Sequence, residues 1–338
     1  MKAPAFWWQP TRGLAARLLA PAGAVVGAIA ARRMAAPPAV RLDIAVVCVG
    51  NPTVGGAGKT PVAIALAEAL AAEGHRPVFL TRGYGGTLKG PVRVKAELSA
   101  RETGDEPQLL KAHAPTVVSA DRAAGGRLAA TLGDVVVMDD GFQNPALAKD
   151  VALLVVDAVV GLGNGAVTPA GPMRAPLAAH LPHAAAIVRV IGAEVPGAPL
   201  PATGLPVFDV HLAASAPRPL AGVAVLAFAG IGRPEKFFAS LAGLGADIVA
   251  RRAYGDHGAH RRARGGRPLR DRRAAGTDAR HHHQGRAAAA GRFGPAARAL
   301  ADAALTLAAV RAELPDALVA LVRAGISRRR GGAARGAE

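Results

Sequence analysis

Short apolar runs recur along this chain from residue 44 onward, and they constrain its fold more than any other feature. Each run is nearly continuous in Val, Ile, Leu and Ala, and segments with helical periodicity separate several of them. Continuous apolar runs, unlike alternating ones, are typical of parallel strands covered on both faces. We therefore predict a doubly wound α/β fold with a mostly parallel sheet. The predicted strands are residues 44–49, 77–81, 134–140, 151–157, 185–191 and 223–230. The predicted helices are residues 60–73, 106–113 and 121–131.

A glycine-dense loop, VGNPTVGGAGKTP at residues 49–61, joins the first predicted strand to the first predicted helix. It ends in Gly58-Lys59-Thr60 like a phosphate-binding P-loop, although Thr53 stands where that pattern has its first glycine. Successive backbone N–H groups of such a loop and the N-terminus of the following helix bind phosphate oxygens. The strand–loop–helix context favours this interpretation over a glycine-rich turn with a chance Gly-Lys-Thr. The predicted phosphate-binding residues are Thr53, Val54, Gly55, Gly56, Ala57, Gly58, Lys59 and Thr60.

Acidic residues occur at two places where a phosphate-transferring enzyme needs them. Asp139 and Asp140 end the run VVVMDD, and an acid at the end of a neighbouring buried strand can hold Mg²⁺ or its water. Solvation of a strand end is the simpler alternative. Asp105 and Glu106 open a predicted helix, where they can also serve only as a helix cap.

The first 40 residues form an apolar segment that carries both tryptophans of the chain, Trp7 and Trp8. Its apolar stretch, Leu18 to Ala31, contains Pro21 and is shorter than the about 20 residues that a spanning helix needs. No cleavage site of a signal peptide follows it. A helix with Trp at one end and Arg at both fits the plane of a membrane interface. Packing on the protein's own core is the alternative.

Composition excludes some classes of protein and leaves others open. The single cysteine, Cys48, excludes a disulfide framework and a cysteine-based zinc site, and its apolar surroundings predict a small core residue. The formal net charge of +17, taken alone, indicates nucleic acid or an anionic membrane as a partner. Most of that charge lies in the arginine-rich residues 251–298 and at the end of the chain. Since only the net charge indicates nucleic acid, we expect no nucleic-acid partner. A proline-rich stretch at 194–208 predicts a linker, and we expect domains at 1–40, 41–215 and 216–338, the last a smaller α/β part.

Several separate segments occur together in an order and spacing that resembles a known family. They are TVGGAGKTP, LTRGYGG, GDEP, DDGFQ, GLGNGAVTPAGPMRAP and FAGIGRPEKFF. Together they resemble the tetraacyldisaccharide 4'-kinases, the lipid A 4'-kinases, over about residues 5–258. The form T-V-G-G-x-G-K-T is that family's own loop, which accounts for Thr53.

The resemblance implies transfer of phosphate from ATP, with Mg²⁺, to the 4'-hydroxyl of a tetraacylated glucosamine disaccharide 1-phosphate. It implies a peripheral protein at the cytoplasmic face of the bacterial inner membrane, with that anionic surface as partner, and we expect a monomer. Asp105 is the implied base and His257 its partner, since a carboxylate–imidazole pair orients the base and tunes its basicity. Lys59 is implied to reach the outer phosphates.

The remaining implied site residues surround the phosphates and the acceptor. Thr60, Glu106, Asp139 and Asp140 form the implied magnesium set, and Tyr84 and Arg174 are implied contacts of the acceptor or its phosphate. Two positions depart from the family pattern: Asn144 replaces a usual His, and Ala175 replaces a usual Glu. A soluble P-loop ATPase or GTPase switch, or a metallochaperone, is the alternative function. It predicts a base-specificity motif such as Asn-Lys-x-Asp, which the sequence lacks, and it leaves the apolar N-terminus unexplained.

Residues 259–297 are rich in arginine and have neither helical nor strand periodicity. The family would continue here with an amphipathic helix and a strand ending in a Thr-Thr-x-Lys-Asp-like motif. The codons of residues 281–286, read one base later, permit Thr-Thr-Thr-Lys-Asp. We therefore interpret this segment as frameshifted or disordered, with the normal frame restored near residue 300. A metal site at His281–His283 and a basic arm that binds nucleic-acid phosphates are the alternatives.

Overall fold

The protein's structure is a computed structural model that describes residues 3–192, 199–216, 219–229, 234–253 and 309–334. The chain divides into two compact units. The larger unit holds Ala3–Ala213 and Arg311–Glu338, and the smaller one holds Ala214–Val310.

A nine-stranded sheet organises the larger unit, in the order β11-β8-β7-β6-β1-β5-β2-β4-β3. All the pairings from β8 through to β4 are parallel, and β3 pairs antiparallel with β4 at the edge. This confirms the predicted doubly wound, mostly parallel sheet. The strands are β1 Ala45–Gly50, β2 Pro77–Thr81, β3 Val92–Arg93, β4 Thr116–Val118, β5 Val135–Asp139, β6 Val151–Asp157, β7 Ala186–Ile191, β8 Val207–Ser215 and β11 Ala309–Glu313.

Helices cover the sheet and form parts of the connections between its strands. The helices of the larger unit are α1 Leu14–Met34, α2 Lys59–Ala72, α3 Ala100–Thr103, α4 Asp105–Leu110, α5 Arg122–Ala130, α6 Leu177–His180 and α8 Asp316–Ala334. Two short 3-10 helices, Ala5–Trp8 and Leu181–His183, precede α1 and follow α6.

The central strand β1 shows why its sequence is continuously apolar. Alternate residues of a strand point to opposite faces of the sheet. Val47 and Val49 therefore join the apolar cluster that includes residues of α2 and α8, while Val46 and Cys48 join the cluster on the other face. Every residue of β1 is buried, and the prediction of Cys48 as a core residue is confirmed.

Helix α1 has two apolar sides, one packed and one exposed. It is 21 residues long, so the prediction that this stretch is too short to span a membrane was wrong about length. The predicted stretch, Leu18 to Ala31, left out residues 14–17 and 32–34, which also adopt the helix. Pro21 lies inside the helix. At about 100° per residue, two stripes lie on opposite sides. The packed stripe is Ala16, Gly23, Gly27 and Met34, and the exposed stripe is Leu14, Leu18, Val25 and Ile29.

The segment that follows β6 contacts the N-terminal residues, which belong to the same unit. The indole of Trp7 donates to the carbonyl of Pro169 at 3.0 Å, and the amide of Asn164 donates to the carbonyl of Trp7 at 2.8 Å. Gly23 of α1 lies so close to Val167 that a Cβ on it would stand 2.7 Å from the Val167 carbonyl oxygen. The close approach of α1 to this segment therefore requires glycine.

The C-terminal part of the chain is organised differently from the predicted division at residue 216. Strand β8 begins at Val207, inside the predicted linker, and extends the parallel sheet beside β7. Arg311–Glu338 belong to the larger unit, because β11 lies beside β8 and α8 contributes Leu318, Val322 and Ile326 to the core.

The smaller unit contains two parallel strands, β9 Ala224–Ala229 and β10 Asp247–Ala253, connected by α7 Pro234–Gly243. Its apolar cluster includes Leu220, Ala227, Phe238 and Leu241. The predicted frameshift segment, 259–297, lies outside the described residues.

Candidate active site

The candidate site lies where β1 and β5 end, at the carboxyl edge of the sheet. These strands are parallel neighbours, with Val49 opposite Asp139. The glycine-rich loop that leaves β1 and the two acids that end β5 therefore meet at one point. Open parallel sheets bind ligands at this edge.

The glycine-rich loop leads directly into α2. Gly58 caps the helix with φ of +88°, and a Cβ there would lie 2.9 Å from the side chain of Val190. Only glycine meets both conditions without strain. Lys59, the first residue of α2, is buried, whereas Val54, Gly55 and Gly56 are exposed. The N–H of Val54 donates to the carbonyl of Pro172 at 2.8 Å. The exposed Gly55 and Gly56 thus lie just before the N-terminus of α2, an arrangement that can bind an anion.

Asp139 is a buried carboxylate shared between β5 and α2. Its Oδ2 accepts a 3.0 Å hydrogen bond from the hydroxyl of Thr60. Its Oδ1 is buried and has no hydrogen-bond partner in the part of the chain that the structure describes. Burial, followed by the negative charge of Glu106, raises the pKa of Asp139 to about 7.

Asp140 has a different environment although it is the next residue. The guanidinium of Arg174 donates to both of its carboxylate oxygens, at 2.8 and 3.1 Å. Burial acts to raise the pKa of Asp140, but the charges of Lys59 and Arg174 and the hydrogen bonds from Arg174 lower it below its usual value. Two adjacent carboxyl groups thus have pKa values pushed in opposite directions, as in acid–base and metal sites.

Arg174 also connects the segment after β6 to the glycine-rich loop. Its Nε donates to the carbonyl of Thr53 at 3.0 Å, and its backbone amide donates to the carbonyl of Pro52 at 2.8 Å. Asn51 supports the same turn from inside, donating to the carbonyls of Thr53 and Gly55. Arg174 therefore sits between the loop and Asp140.

Asp105, Glu106 and Tyr84 lie on the segments beside this centre. Asp105 is the exposed first residue of α4, and Glu106 is half-buried and close enough to Asp139 to raise its pKa. The chain after Tyr84 is held by amides of Thr87 and Leu88, which donate to carbonyls of α3. Tyr84 is 65% exposed. His257, the predicted partner of Asp105, lies outside the described residues.

The residues around Asp139 fit a magnesium ion. Its unpartnered buried oxygen and the Thr60 hydroxyl are hard oxygen donors, the kind that Mg²⁺ prefers. Within the described ranges, no group of three or more His, Cys, Asp or Glu side chains could hold a metal ion.

Several residues of the site were not singled out from the sequence. Gln143, within the DDGFQ segment, donates to the carbonyl of Asn51 at 2.8 Å. Arg122 is buried and donates to the carbonyl of Ser119 at 2.7 Å and to that of Asp140 at 3.4 Å. Only the short motif around Gln143 could have indicated such a role, since nothing near Arg122 in the sequence distinguishes it.

The two departures from the family pattern have structural surroundings of their own. Ala175 is fully buried in the apolar cluster beneath the site. The side-chain oxygen of Asn144 accepts from the amide of Ala146, and its carbonyl accepts from Lys149 at 2.6 Å. Asn144 therefore serves the turn after β5.

The family model of the tetraacyldisaccharide-1-P 4'-kinases matches residues 15–276, which include all of this site. This chain belongs to the tetraacyldisaccharide 4'-kinase family. A tetraacyldisaccharide 4'-kinase of Methylobacterium sp. (strain 4-46) is 55% identical over 77% of this chain and 80% of its own length. One of Xanthobacter autotrophicus is 45% identical over 98% of this chain and 100% of its own.

A solved structure of the same family has the same fold. The crystal structure of LpxK from Aquifex aeolicus, in complex with ATP, has a TM-score of 0.70 and 24% identity. The match covers 92% of this chain and 99% of that one. The predicted membership of the tetraacyldisaccharide 4'-kinase family and the predicted P-loop kinase fold are thus confirmed. The switch or metallochaperone alternative is not favoured.

Proposed function

We propose that this chain transfers the γ-phosphoryl group of ATP to the 4'-hydroxyl of a tetraacyldisaccharide 1-phosphate in lipid A biosynthesis. The observation that carries the proposal is the meeting of Gly58-Lys59-Thr60 with Asp139 at one sheet edge, in a chain of this kinase family. Phosphoryl transfer depends chiefly on positioning and on charge neutralisation. A cationic loop facing a buried carboxylate provides the elements for both.

In this proposal the phosphates of ATP lie on the loop of residues 53–60. Its N–H groups and the positive end of α2 neutralise them, and Lys59 contacts the outer phosphates. Thr60 and Asp139 would hold Mg²⁺, with Glu106 and Asp140 as further predicted ligands. Mg²⁺ supplies neutralisation of charge on the transferring phosphate.

Asp105 is the proposed base, since it is exposed at the first turn of α4, next to the half-buried Glu106. It would accept the proton of the acceptor hydroxyl, with His257 as the proposed partner that orients it. Tyr84 and Arg174 are proposed contacts of the acceptor or its phosphate. Arg174 is suited to such a contact because it already lies between Asp140 and the loop.

We further propose that the chain lies on the cytoplasmic face of the inner membrane as a peripheral protein. The exposed stripe of α1, which includes Leu14, Leu18 and Ile29, supports this proposal. Arg32 and Arg33, in the last turn of α1, are placed for contact with anionic headgroups. Such a placement would bring the active site to a lipid acceptor that cannot leave the bilayer.

The test is a transfer assay with Mg²⁺, labelled ATP and tetraacyldisaccharide 1-phosphate in mixed micelles. We expect label on the 4' position of the lipid. The same lipid already phosphorylated at the 4' position is the control acceptor and should gain no label. Release of free phosphate at the same rate with and without acceptor, and no labelled lipid, would overturn the proposal in favour of an ATPase.

A further inference from the structure

A continuous chain of hydrogen bonds leads from the backbone carbonyl of Pro176, the residue before α6, to the candidate site. It begins at His180, whose Nδ1 lies 3.0 Å from the carbonyl oxygen of Pro176. A carbonyl oxygen can only accept a hydrogen bond, so Nδ1 carries the proton and donates. In a neutral imidazole, Nε2 is then an acceptor.

Gln143 is the next member of the chain. Its amide nitrogen lies 3.1 Å from Nε2 of His180 and 2.8 Å from the carbonyl oxygen of Asn51. Both amide protons of Gln143 therefore have acceptors. Its Oε1 consequently faces Nη1 of Arg174, at 3.5 Å. Because the Pro176 carbonyl can only accept, it is also determined which atom donates and which accepts in each later hydrogen bond of the chain, as far as Arg174.

The surroundings of His180 keep its ring neutral and in place. The ring is fully buried and lies 5.7 Å, centroid to centroid, from the ring of Phe142. Burial lowers the pKa of His180 to about 4, although the hydrogen bond with the Pro176 carbonyl acts to raise it, and the positive charge of Arg174 adds to the lowering. The acceptor state of Nε2 is thus the state at neutral pH.

We propose that His180 is a positioning residue for Arg174 and the glycine-rich loop, acting through the amide of Gln143. By accepting from that amide, His180 holds Gln143 in the orientation that presents its oxygen to the guanidinium and its nitrogen to the Asn51 carbonyl. With the amide reversed, an NH₂ group would face a guanidinium and an oxygen would face a carbonyl, and both contacts would be repulsive. The proposal rests on the proposed function, since it takes the loop and Arg174 as parts of the phosphate-transfer site.

Three substitutions of His180 test whether Gln143 needs the hydrogen-bond acceptor at Nε2 or only the bulk of the imidazole ring. His180→Gln places an amide oxygen near the position of Nε2, so it retains an acceptor for Gln143. His180→Asn retains a polar group only near Nδ1, and His180→Leu retains neither. The matched control is His183→Leu, because His183 is three residues away and exposed.

We expect kcat/KM for ATP to fall about tenfold in His180→Leu and His180→Asn, the equivalent of one lost hydrogen bond of about 1.4 kcal/mol. His180→Gln should stay within about twofold of the wild type, as should His183→Leu. Thermal unfolding of each variant shows whether it is folded. Equal activity of the Asn, Gln and Leu variants would overturn the proposal, because a merely structural role does not distinguish an acceptor at Nε2 from one at Nδ1.

A double variant tests whether His180 acts through Gln143. Gln143→Leu with His180→Leu should lose no more activity than Gln143→Leu alone, because the second substitution removes a partner that is already gone. Losses that multiply would show two separate roles and overturn the proposal.

Binding of a fluorescent ATP analogue to the same variants distinguishes a failure of the positioning role from a failure of the proposed function. If the wild type binds the analogue but labels no lipid, the proposed function fails. The positioning role is then decided by nucleotide affinity, with the same order expected: wild type, Gln and His183→Leu tight, and Asn and Leu weak. An affinity that is the same in all variants would overturn it.

Discussion

Thr60 donates a 3.0 Å hydrogen bond to Oδ2 of Asp139, so the first turn of α2 and the end of β5 share one buried carboxylate. The other oxygen of that carboxylate is buried without a hydrogen-bond partner among the described residues. An unsatisfied buried oxygen costs stability. We therefore expect Asp139 to destabilise the ligand-free protein.

Substituting Asp139→Asn should stabilise the ligand-free protein and more so at high pH. The pKa of Asp139 is raised from 3.8 to about 7, so in the folded state ionisation is penalised. The penalty is absent below about pH 4, grows as pH rises toward 7 and is constant above. We expect Tm to rise by at least about 2 °C at pH 8 and by less at pH 4.5. Thermal unfolding measures this, and the exposed Asp43→Asn is the control. An equal effect at both pH values would contradict the prediction.

Lys59→Ala should abolish nucleotide binding or turnover. Lys59 is buried at the start of α2 beside the loop, where its charge can reach the outer phosphates. Loss of such a preorganised cation typically lowers turnover by about 10²–10³-fold. Titration with a fluorescent ATP analogue and the transfer assay measure the effect, with exposed Lys95→Ala as control. Unchanged affinity and turnover would mean that the loop is not the ATP site.

Charging the exposed stripe of α1 should weaken membrane binding. Leu18→Glu together with Ile29→Glu puts two carboxylates on the side that we propose contacts lipid. We expect co-sedimentation with vesicles of phosphatidylglycerol and phosphatidylcholine to fall strongly, as it should when residues 1–33 are deleted. The control Leu109→Glu charges an exposed leucine on α4 instead. Equal sedimentation of the double variant and the wild type would count against the membrane contact.

Asp105→Ala should lower turnover far more than ATP affinity, because a base for the acceptor hydroxyl does not contact the nucleotide. The expected loss of kcat is about 10²–10⁴-fold, the usual contribution of a positioned general base. The control is Glu97→Ala, which removes another exposed carboxylate a little earlier in the chain. A loss of ATP affinity equal to the loss of kcat would assign Asp105 to the nucleotide instead.

Restoring the alternative frame across residues 259–297 should raise 4'-kinase activity with ATP affinity little changed. The written segment lacks the periodicity of a helix or strand, whereas the family resemblance implies an amphipathic helix and a strand there. Resequencing the DNA across codons 255–300 is the direct check. If the chain as written turns over as fast as the restored one, the segment is a tolerated variation.

Much of the sheet could be predicted from the sequence, because strands that are buried on both faces read as continuous apolar runs. The runs at 77–81 and 151–157 are strands with those same bounds in the structure. Strand β8 was missed because the prolines just before it and the exposed residues along it hide the apolar pattern. Its place is determined by pairing with β7, which is a contact between distant segments. The position of β11 beside β8 also depends on a contact between distant segments.

The sequence by itself determined the glycine-rich loop, the acids at the end of β5 and the family, because each is recognised from short motifs whose residues are close together in the chain. Only the tertiary structure decided how Asp139 and Asp140 differ. Thr60 bonds to the first from 79 positions away, and Arg174 bonds to the second from 34 positions away. It also placed His180 against Gln143, 37 positions away. Burial and hydrogen bonding depend on what packs around a side chain in space, and no local pattern records that.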